Sequence, residues 1–245
     1  MSPAAACVAV IPARYGSSRF PGKPLAALCG RPLVVHVLDR VRAAAVFDAV
    51  WVATDDDRIA AAVHAAGGEA RLTRADHATG TDRVAETAAA LAPDAVVFNV
   101  QGDEPLVALD LLRDLVAAMR ADPALDIVTA AHRCHDADGF ASPHVVKVVI
   151  DARGRALYFS RSGIPYARTG APSYLRHIGI YGFRRASLSR FVNLQRGTLE
   201  EREGLEQLRA LEHGMQIRVL LTEHVSQGVD TPEDLKAVEK ILGAS

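Results

Sequence analysis

Short apolar runs alternate with amphipathic stretches through the first half of the chain. CVAVIPA, from Cys7 to Ala13, is a continuous apolar run that predicts a buried strand. RPLVVHVLDRVRAA follows, with Val34, Val37, Leu38 and Val41 spaced along one face of a helix. AVWVATD predicts the next strand, ending at Asp55, and DDRIAAAVHAAG a helix closed by Gly67. EARLT, DRVAETAAALA and DAVVFNV repeat strand, helix and strand; ALDLLRDLVAAMRAD then adds a helix with Leu111, Leu112, Leu115 and Met119 spaced for burial. Alternation of this kind predicts an α/β fold: a mostly parallel sheet with helices on both faces. In such sheets ligands bind in loops at the carboxyl ends of the strands.

The rhythm changes after about Asp126. VVKVVIDARGRALYFS reads as a β-hairpin around Arg153-Gly154, and LRHIGIYGF as another strand. GTLEEREGLEQLRALEHG returns to helix, IRVLLTE to strand, and TPEDLKAVEKIL closes as a helix. The pattern divides the chain into an α/β part over 1–130, a small mixed β/α excursion over 131–195, and a return over 196–245, all compatible with one composite domain.

Composition narrows the function. The 245 residues carry a formal charge of -1, and 49% are apolar, so the chain can bury a large core and lacks the general basic surface of a nucleic-acid binder. Cys7, Cys29 and Cys134 form no C-x-x-C pair, which points to a reducing, cytoplasmic setting. The N-terminal MSPAAACVAVIPA lacks the basic start of a signal peptide, and its apolar half is needed for the first strand. No uncharged stretch reaches the roughly 18–20 apolar residues of a membrane span.

Against that neutral background, VIPARYGSSRFPGKPL concentrates Arg14, Arg19 and Lys23 in one Gly/Pro loop directly after the first strand. The phosphate-binding pattern G-x-x-x-x-G-K-[ST] does not fit. Five residues separate Gly16 from Gly22, and Pro24 stands where the hydroxyl belongs. Pro21 and Pro24 also remove backbone donors, and a G-x-G-x-x-G motif is absent. What remains is either a solvated loop or one that holds phosphates with side-chain cations: guanidinium forks at Arg14 and Arg19, a mobile ammonium at Lys23. A triphosphate, with about four negative charges, is a natural partner for three such groups.

Two aspartates stand at other loop positions. NVQGDEP places Asp103 after an apolar strand, where it also reads as part of a polar turn. GVDTPEDL places Asp230 before the last helix; Thr231 as N-cap, Pro232 at the first helical position and Asp234 in the first turn account for the helix start without it. Mg²⁺ accompanying a triphosphate takes one or two protein carboxylates plus substrate oxygens, a role open to this pair if the fold joins them. HRCH at 132–135 lacks neighbouring ligands for zinc and reads as structural, as do His64 and His213 on their helices.

With the loop and both aspartates in hand, the chain resembles the bacterial 3-deoxy-manno-octulosonate cytidylyltransferase (CMP-Kdo synthetase) family over nearly its whole length. The blocks that carry the resemblance occur in the family's order: IPARYGSSRFPGKPL, VATDDDRI, TRADHATGTDR, NVQGDEP, VKVVID, ALYFSRSGIP, LRHIGIYGF, LEQLR and GVDTPEDL. Sialic acid cytidylyltransferases share the opening loop but match the later blocks less well.

The resemblance implies a Rossmann-like nucleotidyltransferase that moves CMP from CTP to the anomeric hydroxyl of Kdo, releasing pyrophosphate and feeding lipopolysaccharide assembly. It implies that Arg14, Ser17, Arg19 and Lys23 hold the CTP phosphates and that Asp103 and Asp230 bind Mg²⁺. It gives cytosine and ribose recognition to Thr79, Gly80, Thr81 and Arg83, with Gln101 nearby. Thr81 also reads as a helix cap, and Thr79 stands where the family commonly has Ser. The acidic sugar falls to Arg161, His177, Tyr181, Glu206 and Gln207, and a homodimer is implied through the segment around 140–190. Two other readings remain at this stage: a cytidylyltransferase for another acidic sugar, or a CTP-binding regulatory module without turnover. The intact aspartate pair speaks against the latter.

Overall fold

The computed structural model describes residues 5–16, 20–225 and 227–243. Its strands are β1 (Cys7–Ala13), β2 (Ala27–Leu28), β3 (Arg31–Pro32), β4 (Ala49–Thr54), β5 (Glu69–Leu72), β6 (Val96–Asn99), β7 (Ile127–Cys134), β8 (Lys147–Ile150), β9 (Ala156–Ser160), β10 (Tyr174–Arg184) and β11 (Ile217–Leu221). Its α-helices are α1 (Leu33–Ala43), α2 (Asp57–Ala65), α3 (Gly80–Thr87), α4 (Leu109–Ala121), α5 (Ala137–Ala141), α6 (Arg185–Val192), α7 (Thr198–Glu203), α8 (Gln207–Glu212) and α9 (Pro232–Gly243).

β1 is apolar along its length because it is the central strand, paired in parallel with β4 on one side and β6 on the other. The main path of the nine-stranded sheet runs β11-β7-β10-β6-β1-β4-β5. Four of its six pairings are parallel, and β10 runs antiparallel to both β6 and β7, so the sheet is mostly parallel as the alternation predicts. β8 adds to β10, and β9 to β8 as a hairpin, with Gly154 in the left-handed region at φ 75°. The excursion over 131–195 therefore supplies β10, an inner strand of the sheet, as well as the peripheral hairpin.

Each sheet face carries its own apolar core. Val34, Val37, Leu38 and Val41 of α1 pack with Ile59 and Val63 of α2 and with Leu111, Leu112, Leu115 and Met119 of α4 on one face. Val84 of α3, Leu188 and Phe191 of α6 and Leu208 of α8 cover the other. The predicted helix over GTLEEREGLEQLRALEHG is two helices, α7 and α8. Gly204 breaks the run by entering the left-handed region at φ 60°, a conformation open to glycine.

Two features place the functional loops. Leaving β1, the chain builds β4 and β5 to one side and then returns to set β6 on the other, so the strand order reverses between β1 and β6. A crevice opens outside the carboxyl ends of the strands at such a point. Separately, Leu28, Leu33, Val229 and Val238, all fully buried, form a small cluster that docks α9 and its preceding loop against the β2–β3 hairpin. Burying aliphatic side chains of this size stabilises by about 1.5–3 kcal/mol each. That is enough to hold the loop carrying Asp230 over the crevice.

Candidate active site

A cleft of about 280 Å³ lies at the β1/β6 reversal, lined by Arg14, Lys23, Thr79, Gly80, Arg83, Gln101, Asp103 and Asp230. Eight of the expected residues, drawn from four separate sequence blocks, thus meet in one cavity. Ser17 and Arg19, also expected here, lie outside the described residues.

Close backbone approach brings the loops together. A Cβ on Gly102 would stand 2.8 Å from the Pro12 carbonyl oxygen, so glycine lets the loop after β6 lie directly on the end of β1. The Val229 amide donates to the Asp103 carbonyl at 2.8 Å, tying the two aspartate-bearing loops. Lys23 enters from a single 3-10 turn, Lys23–Leu25, that starts at Gly22 with φ 71°. Its ammonium donates to Asp103 Oδ2 at 2.6 Å, to the Val229 carbonyl at 2.9 Å and to Asp230 Oδ1 at 3.4 Å. A cation therefore sits between the two aspartates, ringed by oxygens. An all-oxygen donor set with two carboxylates suits a hard divalent ion such as Mg²⁺. Among the described residues no group of three or more His, Cys, Asp or Glu could hold a metal, so such an ion would draw its further ligands from substrate and water.

Helix capping accounts for the neighbours of Asp230. The Thr231 hydroxyl accepts from the Asp234 amide at 3.2 Å, while the Asp234 carboxylate takes the amides of Asp230 and Thr231 at 3.0 and 2.9 Å. Burial pushes Asp234 up, but these hydrogen bonds and the charge of Lys23 outweigh it and hold its carboxyl below the usual range.

On the α3 side the cap is Thr79, not Thr81. Thr79 has extended backbone and exchanges hydrogen bonds with Asp82 in a capping box, whereas Thr81 already lies inside the first turn. Both hydroxyls instead reach Glu206: Thr79 donates to Oε1 at 2.9 Å and Thr81 to Oε2 at 2.7 Å. Arg83 is 3% exposed; its guanidinium lies 3.3 Å from Asp55 Oδ1 and also donates to the Thr73 hydroxyl.

A second, mostly apolar cavity of about 40 Å³ is lined by Thr81, Tyr181, Phe183, Phe191, Glu206 and Gln207. Burial pushes the Glu206 carboxyl up, opposed by its threonine hydrogen bonds and by Arg209. The Tyr181 hydroxyl is buried without a hydrogen-bond partner among the described residues, and burial, then the charge of Glu206, raises its pKa well above the ordinary phenol value.

Two expected sugar residues are engaged with the protein itself. The Arg161 guanidinium donates to the carbonyls of Glu203 at 2.8 Å, Pro143 at 3.0 Å and Gly204 at 3.4 Å. The fully buried Lys147 completes this corner by donating to the carbonyls of Ser142, Val145 and Arg161. His177 packs edge-on to Phe159 and meets the Thr129 hydroxyl at 2.9 Å; burial pushes its pKa down to about 3. The Arg161 contacts tie Glu203 and Gly204, at the end of α7, to the residue that follows β9.

Sequence reasoning missed Asn99, His77 and Glu203. Asn99 bridges Gln101 and Thr81 at 3.2 Å on each side, and its signal was an amide ending an otherwise apolar strand. His77 lines the cleft and pairs with Glu86, while Glu203 accepts from the Ser160 hydroxyl and the Arg161 amide. Neither stands out in its block of sequence.

A family model described as cytidylyltransferase matches residues 8–217. The chain is 52% identical over 240 residues to the 3-deoxy-manno-octulosonate cytidylyltransferase of Syntrophobacter fumaroxidans, covering 96% of each chain. It is also 52% identical over 238 residues to the protein of that name from Anaeromyxobacter sp. strain Fw109-5, again covering 96% of each. A solved structure of CMP:2-keto-3-deoxy-manno-octonic acid synthetase complexed with CTP superposes with a TM-score of 0.92 at 44% identity, covering 98% of this chain and 99% of that one. The 4-diphosphocytidyl-2C-methyl-D-erythritol synthase of Anaerococcus prevotii, at 18% identity and a TM-score of 0.63, shares the fold.

Proposed function

The chain belongs to the 3-deoxy-manno-octulosonate cytidylyltransferase family, and on that premise we propose that it transfers CMP from CTP to the anomeric hydroxyl of Kdo, giving CMP-Kdo and pyrophosphate. The observation that carries the reading is the convergence of Lys23, Asp103 and Asp230 on one point at the β1/β6 crevice. The bond that forms joins the sugar oxygen to the α-phosphorus; the bond that breaks releases pyrophosphate. Arg14 and Lys23 face the phosphates and offset charge growing on their oxygens, with Arg19 joining them. Thr79, Gly80, Thr81, Arg83 and Gln101 frame the nucleoside, and Ser17 contributes from the opening loop. Asp103 and Asp230 would hold Mg²⁺. That ion, when bound, supplies charge neutralisation at the triphosphate and a lowered pKa for a coordinated hydroxyl.

The sugar lies toward Tyr181, Glu206 and Gln207, with Arg161 and His177 bracing that wall. The free thiols Cys7, Cys29 and Cys134 support a cytoplasmic setting, and among the described residues no helix is long and apolar enough to cross a membrane. Exposed Leu157 and Tyr166 support a homodimer formed through the 140–190 segment. In this reading the product serves lipopolysaccharide assembly.

Pyrophosphate release with CTP or UTP against a panel of Kdo, its amino analogue and sialic acid tests the assignment. Turnover with CTP and Kdo, and strong discrimination against UTP, is the expected result. Equal turnover with UTP removes the base-recognition role of the Thr79–Arg83 loop. Turnover with sialic acid but not Kdo reassigns the sugar.

A further inference from the structure

Asn99 ends β6 at 2% exposure, an amide among apolar neighbours. It has partners on both sides. Its Oδ1 accepts from Gln101 Nε2 at 3.2 Å, and its Nδ2 donates to the Thr81 hydroxyl at 3.2 Å. The Thr81 hydroxyl in turn donates to Glu206 Oε2 at 2.7 Å, and Thr79 donates to Oε1 at 2.9 Å.

The bonds of this chain run one way. The Thr81 hydroxyl gives its single proton to Glu206. Its oxygen then faces Asn99 as an acceptor, and the Asn99 amide must offer Nδ2. That turns Oδ1 toward Gln101, which must answer with Nε2. A reversed amide at either position would set two acceptors or two donors against each other in a buried place. That leaves the Gln101 carbonyl oxygen, with the second hydrogen of its amide beside it, for the cleft that Gln101 lines.

We propose that Asn99 is a positioning residue, and that the chain Glu206–Thr81–Asn99–Gln101 fixes Gln101 with its carbonyl oxygen presented to the substrates. The proposal rests on the functional reading above. Held this way, Gln101 takes a hydrogen bond from a substrate hydroxyl, on the ribose of CTP or on the acidic sugar. An acceptor atom at that place is rejected, because it leaves a desolvated oxygen unpaired. Glu206, on the wall of the apolar cavity, thereby sets the polarity of a group in the nucleotide cleft.

A double-mutant cycle tests this. Asn99→Leu and Gln101→Ala are each expected to lower kcat/KM about tenfold, the scale of one oriented hydrogen bond. The double variant should fall no further than Gln101→Ala alone, because Asn99 acts through Gln101. Thr81→Val should behave as Asn99→Leu does, while Thr81→Ser, which keeps the hydroxyl, recovers most of the loss. A rise in KM for CTP places the donor hydroxyl on ribose; a rise in KM for Kdo places it on the sugar. Losses that multiply in the double variant, or wild-type kinetics in Thr81→Val, overturn the proposal. If Asn99→Leu does not fold, the same cycle runs between Thr81→Val and Gln101→Ala. Absence of pyrophosphate release from CTP and Kdo by the unmodified protein contradicts the functional reading instead, and is read in the same assay.

Discussion

Lys23 holds the place between two carboxylates that the functional reading gives to a metal, and this has a measurable cost. Its ammonium lies 2.6 Å from Asp103 and 3.4 Å from Asp230, with side-chain exposures of 16%, 30% and 49% for the three residues. Bare Coulomb energies at these distances are several kcal/mol at an effective dielectric of about 20. Solvent reaches all three groups, so each pair is better placed at about 0.5–1 kcal/mol, the range of partly exposed ion pairs. A divalent ion entering the nucleotide-free site must displace both contacts, at a cost of about 1–2 kcal/mol, or about 5–30-fold in Kd. Lys23→Met removes the competing charge while keeping an unbranched side chain in the turn. Titrating nucleotide-free protein with Mg²⁺ by calorimetry should therefore show tighter binding by the variant, by about tenfold. CTP should bind the variant less tightly, since a phosphate-facing cation is gone. Equal or weaker Mg²⁺ binding by Lys23→Met would refute the reasoning, because the ammonium and the metal would then not share the aspartates.

Two further outcomes follow from the contacts. Gly102→Ala sets a Cβ 2.8 Å from a backbone oxygen of Pro12, which cannot rotate away. It should lower Tm by several degrees, corresponding to about 1–3 kcal/mol of overpacking, and reduce turnover by displacing Asp103; an unchanged melting curve contradicts the close approach. His177, held neutral with its pKa pushed down to about 3 by burial, makes stability depend on pH. The unfolded chain takes up a proton as pH falls through about 6.5 and the folded chain does not until near 3. Stability is therefore lost over that interval by up to about 1.4 kcal/mol per pH unit. Chemical unfolding at pH 6, 5 and 4 should show this slope reduced in His177→Gln, and identical slopes in both proteins would contradict it.

Much of the fold was legible because the information is local. CVAVIPA, DAVVFNV and the helix faces around Val37 and Leu112 carry their burial in their spacing, and the Thr231–Asp234 cap is written in four consecutive residues. The break at Gly204 was hidden because charged and apolar residues keep helical spacing on both sides of it. In the cleft, residue types that carry charge at strand ends could be nominated one by one. Their meeting depends on long-range contacts, such as the amide of Val229 on the carbonyl of Asp103, that leave no local trace. The threonine cap went to the wrong residue because Thr79 and Thr81 both precede the helix's apolar positions, and the hydroxyls' second partner, Glu206, is more than a hundred residues away. The family resemblance gives Arg161 to the acidic sugar. Its backbone partners at Pro143, Glu203 and Gly204 become visible when β8, β9 and α7 are assembled.

The central claim is that Asp103 and Asp230 form one metal-dependent centre for nucleotidyl transfer, with phosphate-facing cations beside it. Asp230→Asn tests it most directly, because the Thr231–Asp234 cap survives the substitution and the side chain keeps its size. Melting temperature, CTP binding and pyrophosphate release are measured on one sample. The account predicts near-normal Tm, CTP affinity close to that of the unmodified protein, and turnover lower by at least ~100-fold, the scale of losing much of a metal's contribution. Near-normal turnover in a folded Asp230→Asn protein would contradict it, returning Asp230 to the loop before α9 and removing the two-aspartate centre.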